Sequence, residues 1–161
     1  MNLACREDEL RQLLKDVAFT RNLGLELHGI ADGQCSIDVP FQDAFERPGG
    51  IVSGQVFMAV ADVAMWFAIK TKLGLTDTSV TAEMKTNFLG SARKAGFRCN
   101  AKVLKIGRHL IYGVAECVDG NSRLLTHHTV TYIRVELSPE IPGDRTKTAT
   151  PRSFLGSRSS K

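Results

Sequence analysis

The chain has 161 residues, 43% of them hydrophobic and 24% charged, which is ordinary for one globular domain with a sizeable core. Its net charge of +4 does not indicate a nucleic-acid-binding protein, because the excess lies mostly in a basic C-terminal tail. No basic helix, zinc-ligand spacing or aromatic-basic strand pattern accompanies this charge, so we expect no nucleic-acid partner.

The N-terminus and the cysteines favour a reducing, cytoplasmic location. The opening MNLACREDELRQLL has acidic residues early and lacks the apolar run of a signal peptide. Cys35, Cys99 and Cys117 fall in apparent strands, where free buried cysteine is common. No CxxC spacing is present, although four cysteines could in principle pair.

The first third of the chain predicts a helix, a hairpin and a loop. Residues 7–20 place leucines at helical spacing behind an acidic first turn, which predicts an amphipathic helix. Residues 24–30 and 35–39 alternate apolar and polar side chains around an Ala-Asp-Gly turn, which predicts a β-hairpin. Residues 40–53, which contain Pro-Gly-Gly, are expected to form an irregular loop.

A single carboxylate lies in an otherwise apolar helix. Residues 56–69 read VFMAVADVAMWFAI, with Asp62 as the one polar residue, and Gly74 is expected to end the helix. The run is shorter than the roughly 18–20 apolar residues of a membrane span, so we expect no membrane partner. A buried unpaired carboxylate is costly, so Asp62 is either part of a functional site or solvated at one edge of a core helix.

The rest of the chain predicts strands and then a tail. Alternating apolar and polar residues predict four antiparallel strands, at 80–88, 97–103, 110–118 and 124–135. This alternation puts Thr81 on the face of Glu83 and Lys85, opposite Val80 and Met84. Residues 138–161 are rich in Pro, Ser, Thr and basic residues, so we expect a flexible tail after a single domain of residues 1–137. A curved antiparallel sheet wrapped around the apolar helix would bury that helix, giving an α+β fold.

Three segments carry a family resemblance. They are RPGGIVSGQVFMAVADVAMWFAI (47–69), SVTAEMKTNFLGSA (79–92) and KVLKIGRHLIYGVAECVDGNSRLLTHHTVTYI (102–133). In order and spacing they resemble the hotdog-fold acyl-CoA thioesterases of the phenylacetic-acid-degradation (PaaI-like) type. The resemblance covers residues 24–132. It implies a hotdog fold, hydrolysis of an acyl-CoA to the free acid and coenzyme A, no cofactor besides that substrate, and a homodimer or homotetramer.

The resemblance also assigns catalytic roles. In the family, a carboxylate follows the histidine of a His-Gly-Gly by nine residues, so Asp62 matches the catalytic base or nucleophile. Gly54 matches the residue whose backbone N–H polarises the thioester carbonyl, and Thr81 matches a hydroxyl that holds the attacking water in some members. Gly54 and Asp62 are two helical turns apart, roughly 12 Å along the axis. One chain can hardly place both at one carbonyl, and the family's sites form between two subunits.

The sequence departs from the family at three positions near the helix start. Ser53 stands in place of the histidine, Gln55 replaces the second glycine, and Arg47 replaces a polar residue six before the histidine. The backbone N–H donors are still present. The side chain of the family's histidine is absent, and so is that of the asparagine often found six residues before it. We expect Ser53 to be an N-cap rather than a nucleophile, because no GxSxG motif is present.

Cations are expected where the phosphates of coenzyme A bind. Besides Arg47, the candidates are Arg93 and Lys94 after the strand of Thr81, and Arg108 and His109 in a glycine-arginine turn. Each is alternatively an ordinary solvated surface charge. The histidines lack the spacing of a zinc motif, so we expect no metal.

Two other functions remain open at this point. A non-catalytic acyl-CoA-binding or regulatory module is favoured by the replaced His-Gly-Gly, whereas the retained Asp62 opposes it. An acyl-thioester dehydratase is weaker, because that chemistry usually pairs a histidine with the carboxylate and no histidine lies between His28 and His109.

Overall fold

Two short helices open the part of the chain that the computed structural model describes, residues 3–135. They are α1 (Glu7–Asp16) and α2 (Ala18–Asn22), so the prediction of one helix over residues 7–20 was wrong. Val17 lies between them in an extended conformation, with φ −76° and ψ 119°. The break lets the buried Thr20 hydroxyl donate to the Leu14 carbonyl oxygen at 2.7 Å, which satisfies an acceptor that α1 leaves at its end.

In the described part of the chain, six strands form one antiparallel sheet. The predicted hairpin is confirmed as β1 (Glu26–Ala31) and β2 (Gln34–Val39). The predicted loop before the apolar helix is not wholly irregular, because it contains a 3₁₀ turn and the two-residue strands β3 (Glu46–Arg47) and β4 (Ile51–Val52), which pair separately. The four predicted long strands are confirmed as β5 (Val80–Phe88), β6 (Phe97–Ile106), β7 (Leu110–Val118) and β8 (Leu124–Ile133). Their order is β1-β2-β6-β7-β8-β5, so β1 and β5 are the edges.

The apolar helix, which runs after β4 as α3 (Gly54–Leu73), packs against every strand of this sheet. Twelve of its residues are buried, and it ends at Gly74, whose φ of 87° favours glycine, as predicted. One stripe along α3 stays at least partly exposed at helical spacing: Gln55, Met58, Ala59, Asp62 and Trp66. The predicted α+β arrangement, a central helix wrapped by an antiparallel sheet with helix added at the N-terminus, is thus confirmed.

Several features complete the described part. All four cysteines are free and buried, as expected for three of them from their strand positions. In residues 3–135 no helix is both long and apolar enough for a membrane crossing. The predicted tail, residues 138–161, lies outside the described residues and stays a prediction.

Gly113 allows α3 to approach β7 closely. A Cβ at this position would lie 2.5 Å from Met65 Cε and 2.6 Å from the Lys102 carbonyl oxygen. The methionine end can move, but the backbone carbonyl of the neighbouring strand cannot move without disturbing the sheet.

We therefore expect Gly113→Ala to lower the free energy of unfolding by about 1–3 kcal/mol, the usual cost of overpacking. Urea denaturation measures this. The matched control is Gly29→Ala in β1, where an added Cβ meets nothing within 4 Å, and we expect it to be close to neutral. Equal effects of the two substitutions would contradict the packing argument.

Candidate active site

One carboxylate oxygen of Asp62 accepts two hydroxyl hydrogen bonds. Thr81 Oγ1 donates to Asp62 Oδ1 at 2.6 Å, and Tyr132 OH lies 2.7 Å from the same atom. Tyr132 OH also lies 3.0 Å from the Asp62 carbonyl oxygen. Within residues 3–135 the other carboxylate oxygen, Oδ2, accepts no hydrogen bond, so it is the oxygen available to a substrate or a water.

The sheet register brings the three side chains together. Thr81 of β5 lies directly opposite Tyr132 of β8, so the two side chains lie on the same face of the sheet. Asp62 reaches them from the exposed stripe of α3, and its side chain is half-buried. The site therefore combines one helical residue with two residues from neighbouring strands.

A β-bulge in β5 corrects the predicted face of Thr81. The register shifts between Thr81 and Glu83, and beyond the shift Met84 is opposite Val130. Since Tyr132 and Val130 are both buried on the inner face of β8, Thr81 and Met84 share that face. The regular alternation, which placed Thr81 with Glu83 and opposite Met84, was wrong at this point.

Tyr132 was missed by the sequence reasoning. Its side chain is 3% exposed, and burial chiefly raises the pKa of its phenol above the ordinary value, helped by the nearby Asp62 carboxylate. It is therefore a protonated hydrogen-bond donor at neutral pH. The signal available in the sequence was a tyrosine on the buried face of a strand, because a buried phenol needs a polar partner.

Asp62 lines a cavity of about 300 Å³. Apolar side chains form most of its wall, and part of that wall comes from α2 and the break that precedes it. The residues that line it are Val17, Phe19, Thr20, Asp62, Val63, Trp66, Ser79, Val80, Thr81 and Tyr132. Such a cavity suits a small apolar group whose reacting atom lies at Asp62.

Gly54 starts α3 and packs closely against Phe88 at the far end of β5. A Cβ on Gly54 would lie 2.8 Å from Phe88 Cε1, so the position favours glycine. Ser53 takes the N-cap position, as predicted, but its side chain makes no capping hydrogen bond. Gln55 is exposed on the open stripe of α3. None of these three residues lines the cavity of Asp62, so the described chain keeps the predicted oxyanion donor and the predicted base apart.

The predicted cations separate into two groups. Arg47 lies on β3, Arg93 donates from its guanidinium to the Gly49 carbonyl oxygen at 3.0 Å, and Lys94 lies 3.5 Å from the Glu46 carboxylate. These three cations lie around the paired strands β3 and β4, which precede the start of α3.

The second cation group lies at the opposite end of α3. Arg108 and His109 line a cavity of about 730 Å³ together with Leu73 and Asp77. Arg134, which the sequence reasoning did not select, joins them there. Neighbouring positions in the sequence predicted which cations lie together. They did not predict that the two groups lie at opposite ends of α3.

In the described part of the chain no group of three or more His, Cys, Asp or Glu side chains is placed to hold a metal ion. The absence of a metal stays a prediction.

Comparisons with known proteins agree on the kind of domain. The thioesterase superfamily model matches residues 49–126. A protein of Saccharolobus solfataricus named "putative esterase" is 30% identical over 125 residues, which cover 78% of this chain and 83% of that protein.

Solved structures share the fold at low identity. A Haemophilus influenzae thioesterase superposes with a TM-score of 0.78 at 20% identity, covering 88% of this chain and 99% of that one. The Escherichia coli PaaI protein of the phenylacetic acid degradation operon gives 0.73 at 14% identity, over 80% and 92%. A hypothetical thioesterase of Streptococcus pneumoniae, solved with coenzyme A, gives 0.63 at 14% identity, over 69% and 85%.

The hydrogen bond from Tyr132 to Asp62 predicts a measurable contribution to stability. Tyr132→Phe removes a donor to a carboxylate, which typically costs about 1.5–3 kcal/mol, so the free energy of unfolding should fall by that order. The matched control is Tyr112→Phe on β7, because Tyr112 is 41% exposed and its hydroxyl makes no hydrogen bond within residues 3–135. Urea denaturation should show little change for the control; an equally small change for Tyr132→Phe would contradict the pairing.

Proposed function

The chain belongs to the thioesterase superfamily, and from this premise we propose that it hydrolyses an acyl-CoA thioester to the free acid and coenzyme A. The observation that carries the proposal is the Asp62 carboxylate, in which Thr81 and Tyr132 hold one oxygen while the other accepts no hydrogen bond within residues 3–135, on a residue that lines a cavity. A structural neighbour solved with coenzyme A supports the choice of thioester.

Asp62 Oδ2 has two chemically reasonable roles. As a general base it removes a proton from a water, the resulting hydroxide adds to the thioester carbonyl, and the tetrahedral oxyanion collapses with loss of the coenzyme A thiolate. As a nucleophile it adds to the carbonyl itself, the thiolate leaves, and water then hydrolyses the mixed anhydride. In both routes the hydrogen bonds to Oδ1 orient the carboxylate, and the thiolate leaves with little general-acid help.

We propose that the oxyanion donor, the backbone N–H of Gly54, comes from a second subunit. Within residues 3–135, β5 pairs with β8 on one side and has no partner strand on the other, and the open stripe of α3 lies beside it, which suits edge-to-edge pairing of two copies. Antiparallel pairing of two β5 strands sets the Thr81 end of one beside the Phe88 end of the other. Since Phe88 packs on Gly54, this pairing would bring the partner's helix start toward Asp62.

The same pairing offers a place for the coenzyme A phosphates. Arg93 and Lys94 follow the Phe88 end of β5, whereas Arg108 and His109 lie near its Val80 end, since Leu110 and Val80 both pair with Ile133. In an antiparallel dimer the two cation groups would therefore approach each other from different subunits. A dimer, or a tetramer built from such dimers, would place both groups on one substrate.

The main competing function is a non-catalytic acyl-CoA-binding or regulatory module. Ser53 and Gln55 favour it, because the family's histidine and second glycine are replaced. Asp62 opposes it, because two dedicated donors orient a carboxylate that would only repel an anionic ligand. A dehydratase is less supported, since no histidine is among the described residues that line the Asp62 cavity. For the enzyme we also propose a cytoplasmic location and no nucleic-acid or membrane partner.

The experiment that separates enzyme from binder uses a panel of acyl-CoA substrates with thiol release as the readout. We expect wild type to hydrolyse members of the panel and Asp62→Asn to abolish hydrolysis while the circular dichroism spectrum is unchanged. Thr81→Ala should lower kcat by about 10-fold or more, because it removes an orienting group rather than the base. A loss of only a few-fold in Asp62→Asn would assign the chemistry to another residue.

The proposed assembly predicts a dimer at least. Sedimentation at micromolar concentration should show no stable monomer of the wild type. Met58→Glu, on the open stripe of α3, should dissociate the subunits and abolish hydrolysis, because a carboxylate would be buried in the interface. Leu104→Glu, on an exposed position of β6, serves as the control and should remain at least dimeric and active. An active monomeric wild type would overturn both the assembly and the shared site.

A further inference from the structure

Trp66 lies one helical turn after Asp62 and lines the same cavity. It also lines a second cavity of about 400 Å³, whose other lining residues come from α1, the end of α3 and Leu75. Among the described residues Trp66 is the one that both cavities share. The Trp66 side chain therefore forms part of the wall of both cavities, and we call it the partition.

Lys70 contacts the Trp66 ring and limits its movement. Lys70, one turn further along α3, carries its ammonium nitrogen 5.1 Å from the centroid of the Trp66 ring, within the range of a cation–π interaction. The same nitrogen donates to the Leu75 carbonyl oxygen at 2.8 Å and to that of Asp77 at 3.3 Å. Because Lys70 is only 3% exposed, its position is fixed by these contacts rather than by solvent. Lys70 therefore binds the Trp66 ring and is itself hydrogen-bonded to the turn after α3.

The second cavity is suited to an apolar chain. Besides Trp66, the residues that line it are Leu13, Leu75, Lys70, Glu9, Gln12 and Asp16, and most of the lining surface is apolar. Its volume exceeds the 300 Å³ of the cavity at Asp62, so the two spaces together are more than twice as large as the cavity at Asp62 alone.

We propose that Trp66 sets the size limit of the acyl group, so that the wild type selects compact acyl groups that end against the indole. The proposal rests on the proposed thioesterase function and deepens it. With the thioester carbonyl at Asp62, the acyl group runs along α3 toward Trp66, and the helical rise between the two residues is roughly 6 Å. A longer chain meets the face of the indole, whereas a chain that passed it would enter the second cavity.

The expected effect follows from burial of methylene groups. Each methylene moved from water into an apolar cavity raises binding affinity about fourfold. In a longer cavity, each added carbon should therefore raise kcat/KM by a factor of that order. In the wild type this gain should stop at the length that reaches Trp66. In Trp66→Ala it should continue for several more carbons, because the chain then extends between Leu13 and Leu75.

The test measures kcat/KM by thiol release on straight-chain acyl-CoA substrates from two to sixteen carbons. Trp66→Ala should move the preferred length upward and raise the ratio of long-chain to short-chain kcat/KM by at least 10-fold. Trp66→Phe, with a smaller ring, should fall between wild type and Trp66→Ala. Tyr112→Ala, an aromatic truncation on an exposed position of β7, is the control and should leave the chain-length profile unchanged.

A second variant tests the proposal even if Trp66→Ala does not fold. Lys70→Met keeps an apolar stem but removes the cation that contacts the ring, so it should broaden the chain-length profile while Trp66 remains. An active wild type whose length preference is the same in Trp66→Ala, Trp66→Phe and Lys70→Met would overturn the role of Trp66 alone. A folded wild type that hydrolyses no acyl-CoA of any length would overturn the proposed function, and this inference with it.

Discussion

The burial of α3 is the constraint on which the rest of this structure depends. Alone in water, a helix with these twelve buried residues would expose a large apolar surface. The six described strands of the sheet all contact the helix and cover that surface. Close contact requires glycine at Gly113, where a larger residue would meet Met65 and the neighbouring strand. The single acidic residue of the helix, Asp62, is tolerated because it lies on the open stripe and receives two hydroxyl donors.

That same packing leaves the molecule open along one side. A six-stranded sheet ends at β5, and the stripe of α3 from Gln55 to Trp66 is not covered by the described chain. The two features lie together, so one surface of the described chain presents the free edge of β5, Asp62 and part of the cavity wall. Binding a second copy there would hide the edge and supply the missing Gly54 amide, which is why the proposed chemistry and the proposed assembly stand or fall together.

The N-terminal helices tie substrate size to the fold. The break at Val17 turns α2 so that Phe19 reaches the Asp62 cavity, whereas α1 supplies Leu13 to the cavity behind Trp66. Both cavities therefore depend on a segment that lies outside the central helix and sheet. In this arrangement Trp66 is fixed by Lys70, so a polar contact at the end of α3 acts on the apolar wall of the proposed acyl site.

The sequence by itself determined the parts that depend on local periodicity: the apolar helix with its stop at Gly74, the hairpin, the four long strands and the isolated Asp62. It did not determine where β5 slips by one residue, so it misplaced Thr81, and it missed Tyr132 as the second donor. It also could not tell that the cations around Arg93 and those around Arg108 lie at opposite ends of α3. These features depend on strand register and helix packing between residues far apart in the chain, which local alternation does not encode.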